Sequence, residues 1–420
     1  MKETFYERIG EAVCRERLTN GLEVCVVPKP GYAKKYAFFS TRYGGMDTRF
    51  CLDGQWLNTP AGIAHYLEHK MFDTREGNAL QELAKNGAEP NAFTANAMTA
   101  YYFDSTEHFE ENLRILLSFV SIPYFTDESV AKEQGIIGQE IRMIEDDPSW
   151  RVLFNLLKAM YHNHPVRIDI GGTVESIAKI DADLLYRCYN TFYNLHNMVL
   201  VVAGNVKADE VLKIADEKLK PCKDLSLETF FPEEPADVVK HEVTDHAAVG
   251  LPLFQVGFKS QPASGIDLVR AELECYVAIS VLADPASPLY RSMLEEQLIN
   301  SAFSFEVFTG DGYFANLFGG ESADPYTVRD RILAEIARCK REGLDRAHFE
   351  SVKKACYGSM LRESNNVGAT ATNLMNAHLA GVKLYDSLQI LADMTYEQVQ
   401  QALCTRFDPE RVVLSVVEKE

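Results

Sequence analysis

Nothing in this chain of 420 residues offers a C-x-x-C pair, an apolar run long enough to span a bilayer, or an excess of positive charge. The nine cysteines are odd in number and widely scattered. That argues against a cysteine-based zinc site and for reduced thiols, so the expected compartment is the cytoplasm. The longest apolar run, "MVLVVAGNV" (198–206), falls far short of the roughly 20 residues a spanning helix needs. It reads as a buried strand, and no membrane span is expected. The opening residues, "MKETFYERIGEAVCRERL", carry charges throughout and lack an apolar h-region, so no secretory signal is expected. A formal charge of -19 disfavours nucleic acid and anionic membranes as partners and reads as an acidic, solubilising surface.

What is present is the composition of a globular protein, with 46% apolar and 25% charged residues. The length exceeds what one core usually serves and predicts two or three domains. An internal duplication supplies them. "ESIAKIDADLLYRCYNTFYNLHNMVLVVAGNV" aligns without gaps on "DSLQILADMTYEQVQQALCTRFDPERVVLSVVEKE". Ile180 falls on Met394, Tyr193 on Phe407, Asn197 on Arg411 and Val202 on Val416, each pair 214 positions apart. A second match pairs Glu128, Ser129 and Val130 with Glu350, Ser351 and Val352, at an offset of 222. Self-similarity at an offset of about half the chain length means two related domains. Prolines and acids in "LETFFPEEPADVVKHE" break the periodic pattern, so the expected division is a first domain at 1–226, a linker at 227–242 and a second domain at 243–420. Strands ("GLEVCVVPKP", "YAFFSTRYGG", "FQVGFKSQ") mix with amphipathic helices without strict alternation, which predicts two related α+β sandwich domains.

The halves differ in their polar residues. "GIAHYLEHKMFD" in the first half carries His65, Glu68 and His69, whereas its counterpart "RAELECYVAISVLAD" has no histidine. At the 222 offset, Glu133 becomes Ala355 and Glu140 becomes Arg362. On a helix, His65, Glu68 and His69 share an arc of roughly 100°. The two rings stand about one turn apart, near enough to share a cation. Zinc accepts imidazole nitrogen and carboxylate oxygen, and a catalytic site leaves one position to water. Glu68 is then free to act as base on that water. The helix "ESVAKEQGIIGQEIRMIEDD" places Glu133 and Glu140 on nearly one face, able to offer one carboxylate to the metal and another to orient a ligand histidine. His162 and His164 in "YHNHP" read as a His-Pro structural loop, and "YGG" (43–45) and "IGGT" (170–173) read as turns.

H-x-x-E-H is the inverzincin order, and the chain resembles the M16 (pitrilysin/insulinase) metallopeptidases, of the short bacterial type. "NGLEVCVVPKPG", "NAFTANAMTAYYF", "HPVRIDIGGTVESI" and "FYNLHNMVLVVAGNV" resemble family landmarks along nearly the whole length. The family pairs H-x-x-E-H with a later E-x6-E, matched here by Glu133 and Glu140, the latter 71 positions beyond His69. The resemblance implies one Zn²⁺ on His65, His69 and Glu140, Glu68 as general base, and Glu133 supporting a ligand. It further implies a half clam-shell built from two related domains, and an edge strand at Asn91, Ala92, Phe93 and Thr94 that pairs with substrate backbone.

In active family members the second half also brings an Arg and a Tyr, seven apart, that stabilise the oxyanion. The segment resembling that region, "SPLYRSMLEEQLINSAFSFEV" (287–307), puts Leu294 and Ser301 at those positions, or Met293 and Asn300 one residue over. The reading is therefore a zinc endopeptidase or oligopeptidase for short or unfolded peptides. It is the metal-bearing subunit of a heterodimer with a homologous chain, the alternative assembly being a homodimer. The competing class is a non-catalytic M16-like interaction subunit or peptide binder. Such chains usually lose the histidines or Glu68, and this one retains them.

Overall fold

The computed structural model describes residues 1–420, and the run around Val201 forms its most enclosed strand. All seven residues of Met198–Gly204 are buried, as befits a strand covered on both faces. It lies in a seven-stranded sheet, in spatial order Lys2–Tyr6, Glu11–Arg17, Glu23–Pro28, Met198–Gly204, Lys35–Thr41, Thr99–Ser105 and Ala88–Thr94. Met198–Gly204 runs parallel to Glu23–Pro28 and antiparallel to Lys35–Thr41.

The second sheet repeats that order. Glu242–Ala247, Val412–Lys419, Leu253–Lys259, Tyr313–Glu321 and Ser304–Gly310 correspond, strand for strand, to the last five strands of the first. Here too the opening pair is parallel and the others antiparallel. Val202 lies between Val26 and Ala37, and its duplicate Val416 lies between Thr244 and Phe254. The protein is thus α+β with two related sheets. Each has its own core, one holding Phe39, Tyr101 and Leu200, the other Phe258, Phe318 and Leu414.

Period-two alternation decides what covers each face of a strand. Along Lys35–Thr41, Ala37 and Phe39 enter the first core with residues of the helices Ile63–Met71 and Phe109–Ser121. Tyr36 and Ser40 meet the helix Val367–Leu379 on the other face, at Gly368 and Met375. In the second sheet that place is taken by Pro148–Met160. Its Met160 lies where a side chain on Gly257 would stand, so the strand keeps glycine there.

The compact units are consequently discontinuous. One comprises Met1–Ile141, Asp169–Phe230 and Leu361–Leu384; the other comprises Arg142–Ile168, Phe231–Met360 and Tyr385–Glu420. This differs from the contiguous domains expected at 1–226 and 243–420. The two halves exchange equivalent helices, because either amphipathic helix can cover the same kind of sheet face. The stretch expected as a linker at 227–242 is also engaged. Leu227–Thr229 pairs with Arg49–Leu52 in a small three-stranded sheet. Further on, the Glu234 carboxylate accepts the backbone N–H groups of His162, Asn163 and His164 and the Lys259 ammonium. The "YHNHP" segment is therefore a pinned loop. No helix is long and apolar enough to cross a membrane.

Candidate metal centre

The helix Ile63–Met71 starts from Gly62, whose φ of 92° only glycine adopts without strain. A side chain there would also strike the Gly171 carbonyl. The "IGGT" turn thus has a role that its sequence did not announce, abutting the start of this helix. Ser176 strengthens the contact by donating to Ala61 O at 2.8 Å. Ile63, Ala64, Tyr66, Leu67 and Met71 are buried in the first core. The helical period leaves His65, Glu68 and His69 on the other, partly exposed side. Tyr66 donates its hydroxyl to Val130 O at 2.5 Å and so docks this helix against Asp127–Glu145. Val130, Ile137 and Ile141 anchor that second helix in the core, and Glu133 and Glu140 follow at its flank.

The five polar residues converge. His69 Nδ1 lies 3.0 Å from Glu133 Oε1. Its other nitrogen, Nε2, stands 3.4 Å from Glu140 Oε2, and His65 Nε2 stands 3.7 Å from Glu140 Oε1. The imidazole centroids are 4.6 Å apart, inclined at 70°. One ligand atom from each of His65, His69 and Glu140 lies within 4.8 Å of the others. Separations of 3.4 and 3.7 Å are long for hydrogen bonds. They approach the roughly 3.3 Å between neighbouring ligand atoms when N and O donors surround zinc tetrahedrally. The donor set therefore fits a metal better than it fits a hydrogen-bonded cluster. Three ligands leave the fourth position open, the pattern of a catalytic rather than a structural zinc.

Electrostatics agree with that fit. Burial, helped by the neighbouring His69, lowers His65 to about 4, so it presents a neutral imidazole. Its Nδ1 is enclosed without a hydrogen-bond partner. Burial alone would lower His69 as well, but Glu133, Glu140 and Glu68 outweigh it and raise its proton affinity. A cation held by these nitrogens would take the place of that proton. Glu133 is held below the usual carboxylate range, chiefly by its contact with His69. Glu68 is pushed the other way by burial, opposed in part by the Thr94 hydroxyl and by His69. A carboxyl of raised proton affinity is suited to accept and return a proton.

Thr94 ends the strand Ala88–Thr94, at the free edge of the first sheet. Its hydroxyl donates to Glu68 Oε2 at 2.7 Å. Sequence reasoning expected Asn91 to Thr94 to offer backbone to a ligand and did not anticipate this side-chain contact. A hydroxyl within "NAFT" is the only signal that pointed to it. The free edge offers backbone as well. The Ala92 N–H donates to the Asn91 side chain, and Pro90 sits where an edge strand tolerates a missing N–H.

The segment 287–307 supplies no Arg and Tyr seven apart. Met293 is fully buried in the second core, and Asn300 donates to Glu321 at 2.7 Å. Leu294 and Ser301 are exposed and carry no guanidinium or phenol.

Known proteins share both halves of this arrangement. The profile described as "Insulinase (Peptidase family M16)" matches residues 58–174, and that described as "Peptidase M16 inactive domain" matches residues 179–356. A Bacillus subtilis protein named as the uncharacterized zinc protease YmfH is 36% identical over 424 residues, 99% of each chain. A second Bacillus subtilis relative, named as the uncharacterized zinc protease YmxG, is 27% identical and covers 73% of this chain and 78% of its own. The crystal structure of an M16-like peptidase from Alicyclobacillus acidocaldarius superposes with a TM-score of 0.95 at 36% identity, covering 98% of this chain and 99% of that one.

Proposed function

The chain belongs to the M16 (insulinase) peptidase family, and we propose that it is a zinc-dependent endopeptidase or oligopeptidase acting on short or unfolded peptides. The observation that carries this reading is the convergence of His65, His69 and Glu140, with the half-buried Glu68 beside them on Thr94. His65 Nε2, His69 Nε2 and a Glu140 oxygen would hold the ion, and Glu133 would fix the tautomer and tilt of His69. Zinc, when bound, supplies a Lewis acid that polarises a peptide carbonyl and acidifies water. Glu68 takes the proton from the attacking water and passes it to the leaving amine nitrogen. The Thr94 hydroxyl holds the Glu68 carboxylate in place for both transfers. A peptide laid along Ala88–Thr94 would add a strand to the sheet and displace the Asn91 side chain from the Ala92 N–H.

Between residues 287 and 307 the second half has Tyr290 and Arg291 but no Arg and Tyr seven apart. This supports an assembly in which a homologous chain donates those groups, making this chain the metal-bearing member of a heterodimer. A homodimer lacking the pair is the slower alternative. Nine free thiols, with Cys25, Cys188 and Cys275 buried, support a reducing cytoplasmic setting. The non-catalytic reading, a subunit that only binds peptides or partners, leaves the Glu68–Thr94 contact without a purpose.

Metal analysis together with a quenched-peptide assay tests the proposal. The purified chain, alone and mixed with a homologous partner, is expected to carry one zinc and to lose cleavage on chelation. His65→Ala is expected to lose both zinc and cleavage. Tight binding of one zinc by His65→Ala would show that the metal lies elsewhere.

A further inference from the structure

A cavity of about 290 Å³ in the first unit gathers basic side chains in a chain that has 61 acidic residues against 42 basic ones. Arg15, Arg17, Arg42, His196 and His378 line it, with Glu23 as its one carboxylate. None of these belongs to the metal centre. Arg17 donates to Glu23 Oε2 at 3.2 Å. Arg42 donates to the carbonyls of His378 and Leu379, which fixes its guanidinium against the end of the helix Val367–Leu379. Arg15 is different. Its Nη2 is enclosed and has no hydrogen-bond partner. A guanidinium nitrogen left so is costly, and Arg15 is one of three arginines that line the cavity.

Two kinds of ligand compete for the space. Glu23, Cys25 and His378 offer ligand atoms within 4.8 Å of one another, which by geometry alone suits a cation. The charges oppose it. Burial pushes the Cys25 thiol up to about 12. Burial first, then Arg42, Arg15 and Arg17, lowers His378 to about 4. The same three arginines that disfavour a proton on His378 disfavour a metal ion there. Among the lining side chains three guanidinium groups stand against one carboxylate, which favours an anion over a cation. Guanidinium forks also fit tetrahedral oxyanions by geometry, since paired N–H groups meet paired oxygens.

We propose that this cavity binds a phosphate-type oxyanion, either free phosphate or the phosphoryl group of a phosphomonoester, with Arg15, Arg17 and Arg42 as its donors. The site does not depend on the peptidase reading, and its test does not read activity. Calorimetric titration of the full chain with inorganic phosphate, and separately with phenyl phosphate, at constant ionic strength should show one saturable site per chain. Tighter binding of phenyl phosphate identifies an esterified ligand, and tighter binding of phosphate identifies the free ion. Arg15→Met should weaken binding by roughly tenfold or more. Arg17→Gln, at a side chain 63% exposed, should weaken it without altering thermal stability. Absence of saturable binding would overturn the proposal. So would binding that survives both substitutions, since the anion would then sit elsewhere, or a second zinc per chain that disappears in Cys25→Ser.

Discussion

Glu133 Oε1 lies 3.0 Å from His69 Nδ1, and this contact leaves the opposite ring nitrogen facing Glu140. A carboxylate on the far side of a ligand imidazole sets its tautomer and raises its basicity. Glu133→Ala is expected to keep the fold and to lower zinc affinity by roughly 10- to 100-fold. Competition with a chromogenic chelator measures that loss.

The Thr94 hydroxyl donates to Glu68 Oε2 at 2.7 Å and so would orient the proposed base. Thr94→Val preserves shape and removes only the donor. It is expected to lower kcat by roughly tenfold while KM and zinc content stay near wild type, because misplacing a reacting group affects the chemical step. Steady-state kinetics on a quenched peptide separates the two constants.

Ala92 donates its N–H to the Asn91 side chain rather than to the neighbouring strand. If substrate pairs along this edge, Ala92→Pro removes a donor that peptide would use and leaves the ladder to Thr99–Ser105 intact. The expected result is a KM several-fold higher, consistent with about 1 kcal/mol for one backbone hydrogen bond, with an unchanged melting temperature.

Glu234 and Lys259, with side chains 10% and 4% exposed, form an ion pair at 2.6 Å. Burial pushes Glu234 up, but Lys259 and the N–H groups of His162, Asn163 and His164 outweigh it and hold it below the usual carboxylate range. Its contribution to stability is therefore present above the unfolded value near 4.5 and is lost as pH falls through the lower folded value. Glu234→Gln should destabilise the protein by about 3 kcal/mol at neutral pH, because it leaves the lysine buried without its counter-charge. The gap to wild type should narrow below pH 4.5. Urea unfolding at a series of pH values tests both parts.

The duplication was legible because the offset of 214 joins two strands of equal role, and Val202 and Val416 occupy matching places in their sheets. The candidate metal cluster was legible because helical spacing puts His65 and His69 one turn apart and Glu133 and Glu140 on nearly one face. The exchange of Pro148–Met160 and Val367–Leu379 was not. An amphipathic helix announces that it has an apolar face but not which of two similar sheets will receive it. Glu234 read as one acid among several in a proline-broken stretch, since its partners lie some 25 to 72 positions away. The basic cavity was hidden for the same reason, because Arg15, Arg42 and His378 meet only through the fold.

The most direct test of the account is Glu68→Gln, assayed for zinc content and for cleavage of a quenched peptide beside wild type and in the same assembly. The account predicts one zinc per chain in both proteins and a kcat lower by roughly 10²- to 10⁴-fold in the variant. Cleavage by Glu68→Gln at the wild-type rate, with zinc still bound, would contradict it.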